Sequence, residues 1–166
     1  MDGALLTSIS PFPLPPSWDR RGLEAVGFQG FIPFLGLSAD LLPKGRGVYA
    51  VLREQLQRPT FLGTNVISRR KAYDVDRLNS KWLDGQTVVY IGKAAPLDGI
   101  YGRLGAFSRQ SSSHTGGRAL WQLSDARLLT VAWVETLDHG ADTVETSYLR
   151  AFKELHGRYP FANWRG

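Results

Sequence analysis

Gly47-Val-Tyr-Ala-Val-Leu52 and Thr87-Val-Val-Tyr-Ile-Gly-Lys-Ala94 are the two stretches whose reading decides the fold. Both are rich in β-branched and aromatic residues, and both follow turn chemistry: Lys44-Gly-Arg-Gly47 and Leu83-Asp-Gly-Gln86. They read as strands over Gly47–Leu52 and Thr87–Ile91. Leu128–Val134 reads as a third strand, apolar enough to be central or buried on both faces. Between them, Gly99–Arg109 places Ile100, Leu104 and Phe107 on one face of a short helix, with Asp98 as N-cap and Gly102 and Gly105 weakening it. The last helix is the plainest element. Asp142 is its N-cap, Val144, Tyr148, Ala151, Phe152 and Leu155 share a face, and Gly157 stands at C′.

Working outward, residues 53–86 form a polar insert that carries Arg69-Arg70-Lys71 and Trp82. Gln110–Gly117 has the composition of a loop. Residues 1–46 read as irregular, because Pro11, Pro13, Pro15 and Pro16 rule out a continuous helix. Phe12, Trp18, Phe28 and Phe31 are more aromatic content than a disordered tail carries, so residues 1–45 are expected to form an arm packed on a core domain of residues 46–166. The fold class is α+β: a three-stranded antiparallel sheet flanked by helices, with an N-terminal arm and a long insert between the first two strands.

The 166 residues suit one domain with a single core, and 43% hydrophobic against 21% charged residues is ordinary globular composition. No apolar run is long enough to span a bilayer, so no membrane partner is expected. The first residues lack the basic start of a secretory signal, which places the chain in the cytoplasm. Without cysteine there are no disulfides and no thiolate zinc sites. A net charge of +5 suits a polyanionic partner but does not identify one.

Gly47-Val48-Tyr49, Tyr90-Ile91-Gly92-Lys93-Ala94, Arg103 on the next helix, Glu145 on the last helix and Pro160-Phe-Ala-Asn163 follow one another in an order that resembles the GIY-YIG nuclease superfamily. The closest pattern is the nuclease half of the bacterial excision-repair incision enzyme; GIY-YIG restriction and homing endonucleases share the core. The resemblance covers roughly residues 46–163. It implies a DNA endonuclease that hydrolyses phosphodiester bonds with Mg2+ or Mn2+. Two departures stand out. Tyr49 and Tyr90 are 41 positions apart where relatives use a short turn, and Phe107 stands where repair-type members can carry a tyrosine.

The residue types suit that chemistry. Phosphodiester hydrolysis needs a cation to neutralise developing charge, a group to position water and a fixed positive charge at the phosphate. Glu145 offers the hard oxygen ligand for the metal. Arg103 offers a planar fork of donors. Tyr49 and Tyr90 offer hydroxyls for water and phosphate, and a nearby cation favours the Tyr49 phenolate. Lys93 adds a second cation, and Asn163 can hold the metal shell or Tyr49. Each has a plainer counterpart: Glu145 as the N3 partner of an Asp142 capping box, the tyrosines as strand packing, and the cations as solvated surface. His114, in Ser111-Ser-Ser-His-Thr-Gly-Gly117, is a further candidate for a direct role. Glu135 is the weaker carboxylate because it closes a strand. His139 and His156 are expected to stay outside the site, His156 partly charged at a helix end.

For DNA, most simply double-stranded, Arg69, Arg70, Lys71, Arg109 and Arg118 are the contact candidates. One site per chain implies a homodimer or sequential nicking for a double-strand break. Restriction or phage defence comes first, since no repair-type partner domain is present, and repair or mobile-element roles come second. A silent DNA-binding module of the same fold and an RNA-cutting enzyme are the alternatives.

Overall fold

A computed structural model describes residues 11–65, 71–94, 97, 99–110 and 117–164. Its elements are α1 (Arg20–Ala25), β1 (Gln29–Pro33), β2 (Gly47–Leu52), α2 (Val75–Lys81), β3 (Val88–Ala94), α3 (Gly99–Ser108), β4 (Thr130–Glu135) and α4 (Ala141–His156). The class is α+β. The sheet, however, has four strands in the order β1-β4-β2-β3, every neighbouring pair antiparallel.

The fourth strand corrects the expectation of three, and it comes from the arm taken to be irregular. Gly30 and Phe31 both have positive φ (94° and 54°) and interrupt the pairing with β4, while Pro33 ends the strand. No alternating pattern survives such a segment. What specifies it is the open edge of β4, which β1 covers. The Trp133 ring lies where a Gly30 side chain would fall, 2.5 Å from its Cη2.

Strand alternation divides the core in two. On one face Tyr49, Val51, Val131 and Trp133 pack with Ile100, Leu104 and Phe107 of α3 and with Phe61, Leu78 and Trp82 of the insert. On the other, Val48, Ala50, Ile91, Ala132 and Val134 meet Val144, Tyr148 and Phe152 of α4. Trp18, Leu23 and Phe28 of the arm close that second face, and the Tyr148 hydroxyl donates to Pro13 O at 2.9 Å. Every residue of β2 is buried, as a central strand requires.

Two helix starts differ from expectation. α4 begins one turn edge earlier, with Gly140 as N-cap and no side-chain cap, so Asp142 lies within the first turn and no Asp142–Glu145 capping box forms. α3 begins at Gly99, and Asp98 is outside the described residues. Its first donors are met by the turn before β2: Ile100 N–H donates to Gly45 O at 2.9 Å and Tyr101 N–H to Pro43 O at 2.8 Å. Those bonds fix α3 against β2. The end of α4 is as expected, with Gly157 at φ 79° and its N–H on Lys153 O at 2.8 Å.

The insert is more structured than its polarity suggests. Buried Gln122 joins its two legs, donating to Leu62 O and Tyr73 O at 2.9 Å each and accepting from Tyr73 N–H at 2.8 Å. Buried Arg53 pairs with Asp125 at 2.9 Å and donates to Gln55 O and Gln57 O. No helix of the described residues is long and apolar enough to cross a membrane.

Replacing Gln122 by Leu keeps its bulk but strands three backbone groups of the insert. The expected cost is about 2–3 kcal/mol in urea-induced unfolding. A midpoint equal to wild type would show that Gln122 does not staple the insert.

Candidate active site

The register of β2 and β3 places Tyr49 opposite Gly92 and Val51 opposite Tyr90, so both tyrosines share the α3 face as diagonal neighbours. Their ring centroids are 5.9 Å apart. Gly92 is glycine because of Tyr49: a side chain there would sit 2.5 Å from the phenol Cζ and 2.6 Å from its oxygen. Gly47 plays the matching role toward α3, since a Cβ would lie 2.6 Å from Ile100 Cδ1. Phe107 backs both rings at 6.1 and 5.8 Å. Gly117, at φ 72°, packs its backbone against the far side of Tyr90, with room for a Cβ only 3.1 Å from the ring.

Hydrogen bonds join the Tyr49 hydroxyl to Tyr90 and to Arg103. Tyr49 is fully buried, and burial holds its phenol well above the ordinary tyrosine pKa. The proximity of Tyr90 pushes the same way, while the Arg103 charge pulls down without prevailing. Tyr90 is pushed up to about 12, again mainly by burial. Both phenols are therefore neutral at physiological pH. The expectation that a cation favours the Tyr49 phenolate holds in direction only, because desolvation outweighs the guanidinium.

Arg103 keeps one donor in reserve. Its Nε is buried and has no hydrogen-bond partner. A buried guanidinium N–H left unmade is costly, and an anion in the cleft would satisfy it.

Glu145 enters from α4. Burial pushes its carboxyl up, Lys93 pulls it down, Asp142 raises it and Arg103 lowers it. Its charge in turn raises Tyr90, an effect in which Glu135 has no part. The charges of Glu145 and Arg103 thus act on each other and on Tyr90, although Glu145 comes from the α4 side of the sheet and the tyrosines lie on the α3 side. Lys93 alternates to the other face of β3, opposite Val48. Its ammonium pairs closely with Asp142 and stands 3.8 Å from Glu145 Oε2, so it is engaged by α4 rather than aimed at the tyrosines.

Asn163 has a different task from the one expected. Its carboxamide donates to Ile91 O at 2.7 Å and accepts from Ile91 N–H at 3.0 Å, between Tyr90 and Gly92. Ala162 N–H adds a bond to Val89 O at 2.9 Å. β3 is an edge strand, and Asn163 closes that edge with an amide in place of a neighbouring strand.

Of the remaining candidates, His114, Arg69 and Arg70 lie outside the described residues. Lys71 is exposed and Arg118 half-buried, and both line one cleft with Tyr73 and Arg77. Arg109 is exposed at the end of α3, its guanidinium over Gly105. His156 departs from expectation: burial lowers its pKa, and it packs on Phe152 at 4.4 Å rather than carrying charge at the helix end. His139 meets Phe12 edge-on.

Among the described residues no group of three or more His, Asp or Glu gathers around a point. A hard divalent ion that keeps its waters needs only one or two protein carboxylates. Glu145 fits that demand, since its desolvated carboxylate would be stabilised by a cation.

No family model, curated protein or solved structure matches this chain.

Sequence reasoning missed Asp142 as the partner of Lys93, Gly117 as the wall behind Tyr90, and Trp164 with Arg77 beside Tyr73. The spacing of Tyr73 and Arg77, one helical turn apart, was the one available signal for the last group.

Gly92→Ala is expected to cost about 1–3 kcal/mol by overpacking against Tyr49. Gly63→Ala is the control, because a Cβ there meets nothing within 4 Å. Equal urea midpoints for the two variants would sink the packing role assigned to Gly92.

Proposed function

We propose that this chain is a divalent-metal-dependent DNA endonuclease of the GIY-YIG kind, hydrolysing phosphodiester bonds. The observation that supports the reading is that Tyr49, Tyr90, Arg103 and Glu145, from two strands and two helices, lie within electrostatic range of one another while the two tyrosines adjoin across β2 and β3.

The roles follow from charge. Arg103 binds the non-bridging oxygens of the scissile phosphate through its guanidinium. Tyr90 and Tyr49, held neutral, hydrogen-bond the phosphate and the attacking water without adding negative charge to the cleft. Glu145 would hold Mg2+ or Mn2+, which would offset the negative charge that develops on the phosphate. Water oxygen bonds to phosphorus as the opposite ester bond breaks, the attacking water giving up a proton to solvent and the departing oxygen taking one from solvent. Lys93 and Asp142 set the position of Glu145, and Asn163 sets that of β3. Restriction or phage defence is the first biological setting and repair or element mobility the second, in the cytoplasm in each case. The Lys93 ammonium beside Glu145 favours one second reading, a DNA-binding module that takes up no metal.

The test is incubation of supercoiled plasmid with Mg2+ or Mn2+. Wild type is expected to nick or linearise it, and Arg103→Ala to slow cleavage by about a hundredfold or more. Glu145→Gln should abolish it. Intact plasmid with wild type, or equal cutting by Glu145→Gln, overturns the reading.

The pH dependence has a definite sign. Burial favours the neutral Glu145 carboxyl, so acidification protonates it before an exposed glutamate. Mg2+ affinity measured by calorimetry should therefore fall, on lowering the pH, at a midpoint above the ordinary glutamate range. No loss is expected on the alkaline side from Tyr90 until near its pKa of about 12. A midpoint at or below that of an exposed glutamate would assign metal binding to another group.

A further inference from the structure

The most unusual surface of the molecule lies outside the catalytic cleft. Tyr73 of the insert and Trp164 near the C-terminus stack with centroids 3.7 Å apart and planes inclined by 30°. Two guanidiniums flank that stack: Arg118 lies 4.4 Å from the Tyr73 centroid, and Arg77 lies 4.5 Å from that of Trp164 and 5.8 Å from that of Tyr73. Lys81 approaches Trp164 at 5.8 Å. Further along α4, Lys153 stands 4.6 Å over Tyr159.

These groups form a continuous belt. Arg118, Tyr73 and Arg77 line one cleft; Lys81, Trp164, Tyr159 and Lys153 line the next; Lys153 and Tyr159 also line the groove that ends at Glu145. At the other end, Arg118 follows Gly117, whose backbone rests on the Tyr90 ring. The belt thus leaves the site at Glu145 and returns to it at Tyr90.

Its cations make no ion pair among the described residues. Ion pairs among the described residues engage Arg20, Arg53, Arg58 and Lys93, and none engages Arg77, Lys81, Arg118 or Lys153. Asp74 and Asp76 share the first cleft, but Asp74 caps α2 through Asp76 N–H. A guanidinium stacked on an aromatic ring keeps its in-plane donors free, held at a fixed height and direction. That arrangement binds phosphate oxygens. Tyr73 is stacked by Trp164 and has Arg118 over its ring, which leaves it ill suited as the stacking platform for an unpaired base that single-strand binding uses.

We propose that this belt binds the phosphate backbone of duplex DNA and feeds a phosphate to the site. The proposal rests on the nuclease reading above and adds to it the substrate class and the residues that seat it. The insert supplies Tyr73, Arg77 and Lys81 of the belt, which gives the segment between the two tyrosine motifs a function.

The test is binding in EDTA, where cleavage is silent, so that the two readings separate. Fluorescence anisotropy with a duplex of about 20 base pairs, from about 50 to 300 mM KCl, gives the slope of log K against log salt, about 0.9 per phosphate contacted. Arg77→Gln with Arg118→Gln should lower that slope by about 2, and Lys153→Gln alone by about 1. Arg20→Gln, a cation already paired with Glu24, should leave it unchanged. Circular dichroism confirms that each variant is folded. Unchanged slopes in both belt variants overturn the proposal, as does tighter binding of a single strand of equal length. Wild type that cuts plasmid while the belt variants bind normally removes the belt and keeps the nuclease. Belt-dependent binding with no cleavage in either metal keeps the belt and removes the nuclease.

Discussion

The phenol of Tyr49 lies buried in the space that a side chain at position 92 would need, and the rest of the site depends on that one fit. It ties β2 to β3 in a single register, because a slip of one residue would carry Tyr90 to the α4 face and set a side chain against Tyr49. It also asks for a close approach by α3, which Gly47 permits and the carbonyls of Pro43 and Gly45 hold in place. Arg103 then arrives at the phenol as a consequence of backbone geometry. The exposed side of β3 has no strand to steady it, and the Asn163 carboxamide takes that place at Ile91.

Charge in the cleft is left unfinished in both signs. Arg103 retains a buried donor without an acceptor, and Glu145 is a carboxylate partly withdrawn from water. In the proposed nuclease a phosphate would meet the guanidinium and a divalent cation the carboxylate, charges that packing already holds in place, which is the condition under which electrostatic stabilisation of a transition state is largest. Between them the two tyrosines stay neutral, so they donate hydrogen bonds without repelling a phosphate.

Local features of the chain announced local structure. β2, β3, β4 and the Gly157 end of α4 are visible in residue type and spacing because each is set by its own residues and turns. β1 is not, since Gly30, Phe31 and Pro33 contradict a strand and only the free edge of β4 recruits them. Asp142 misled for a related reason: Gly140 starts α4, and Asp142 is drawn instead to Lys93 across the sheet edge. In the candidate site the identities of Tyr49, Tyr90, Arg103 and Glu145 were legible, but the neutrality of the phenols was not, because desolvation is a property of the packed molecule. Asn163 was legible as a residue and not as a clamp, since its partner lies 72 positions away.

The insert completes the physical picture. A loop of that length between two strands would ordinarily be mobile, but buried Gln122 staples its legs and the Arg53–Asp125 pair anchors its entry. Phe61 and Trp82 pack the insert onto Phe161 of the C-terminal segment, beside the sheet edge. Cations carried on such a scaffold are tied to the sheet that bears Tyr49 and Tyr90. Phosphate contacts of that kind set the register and orientation of a duplex but carry no sequence information. Any preference for particular DNA sequences would then arise from how readily a duplex bends to touch both ends of the belt at once, where deformability is read as energy.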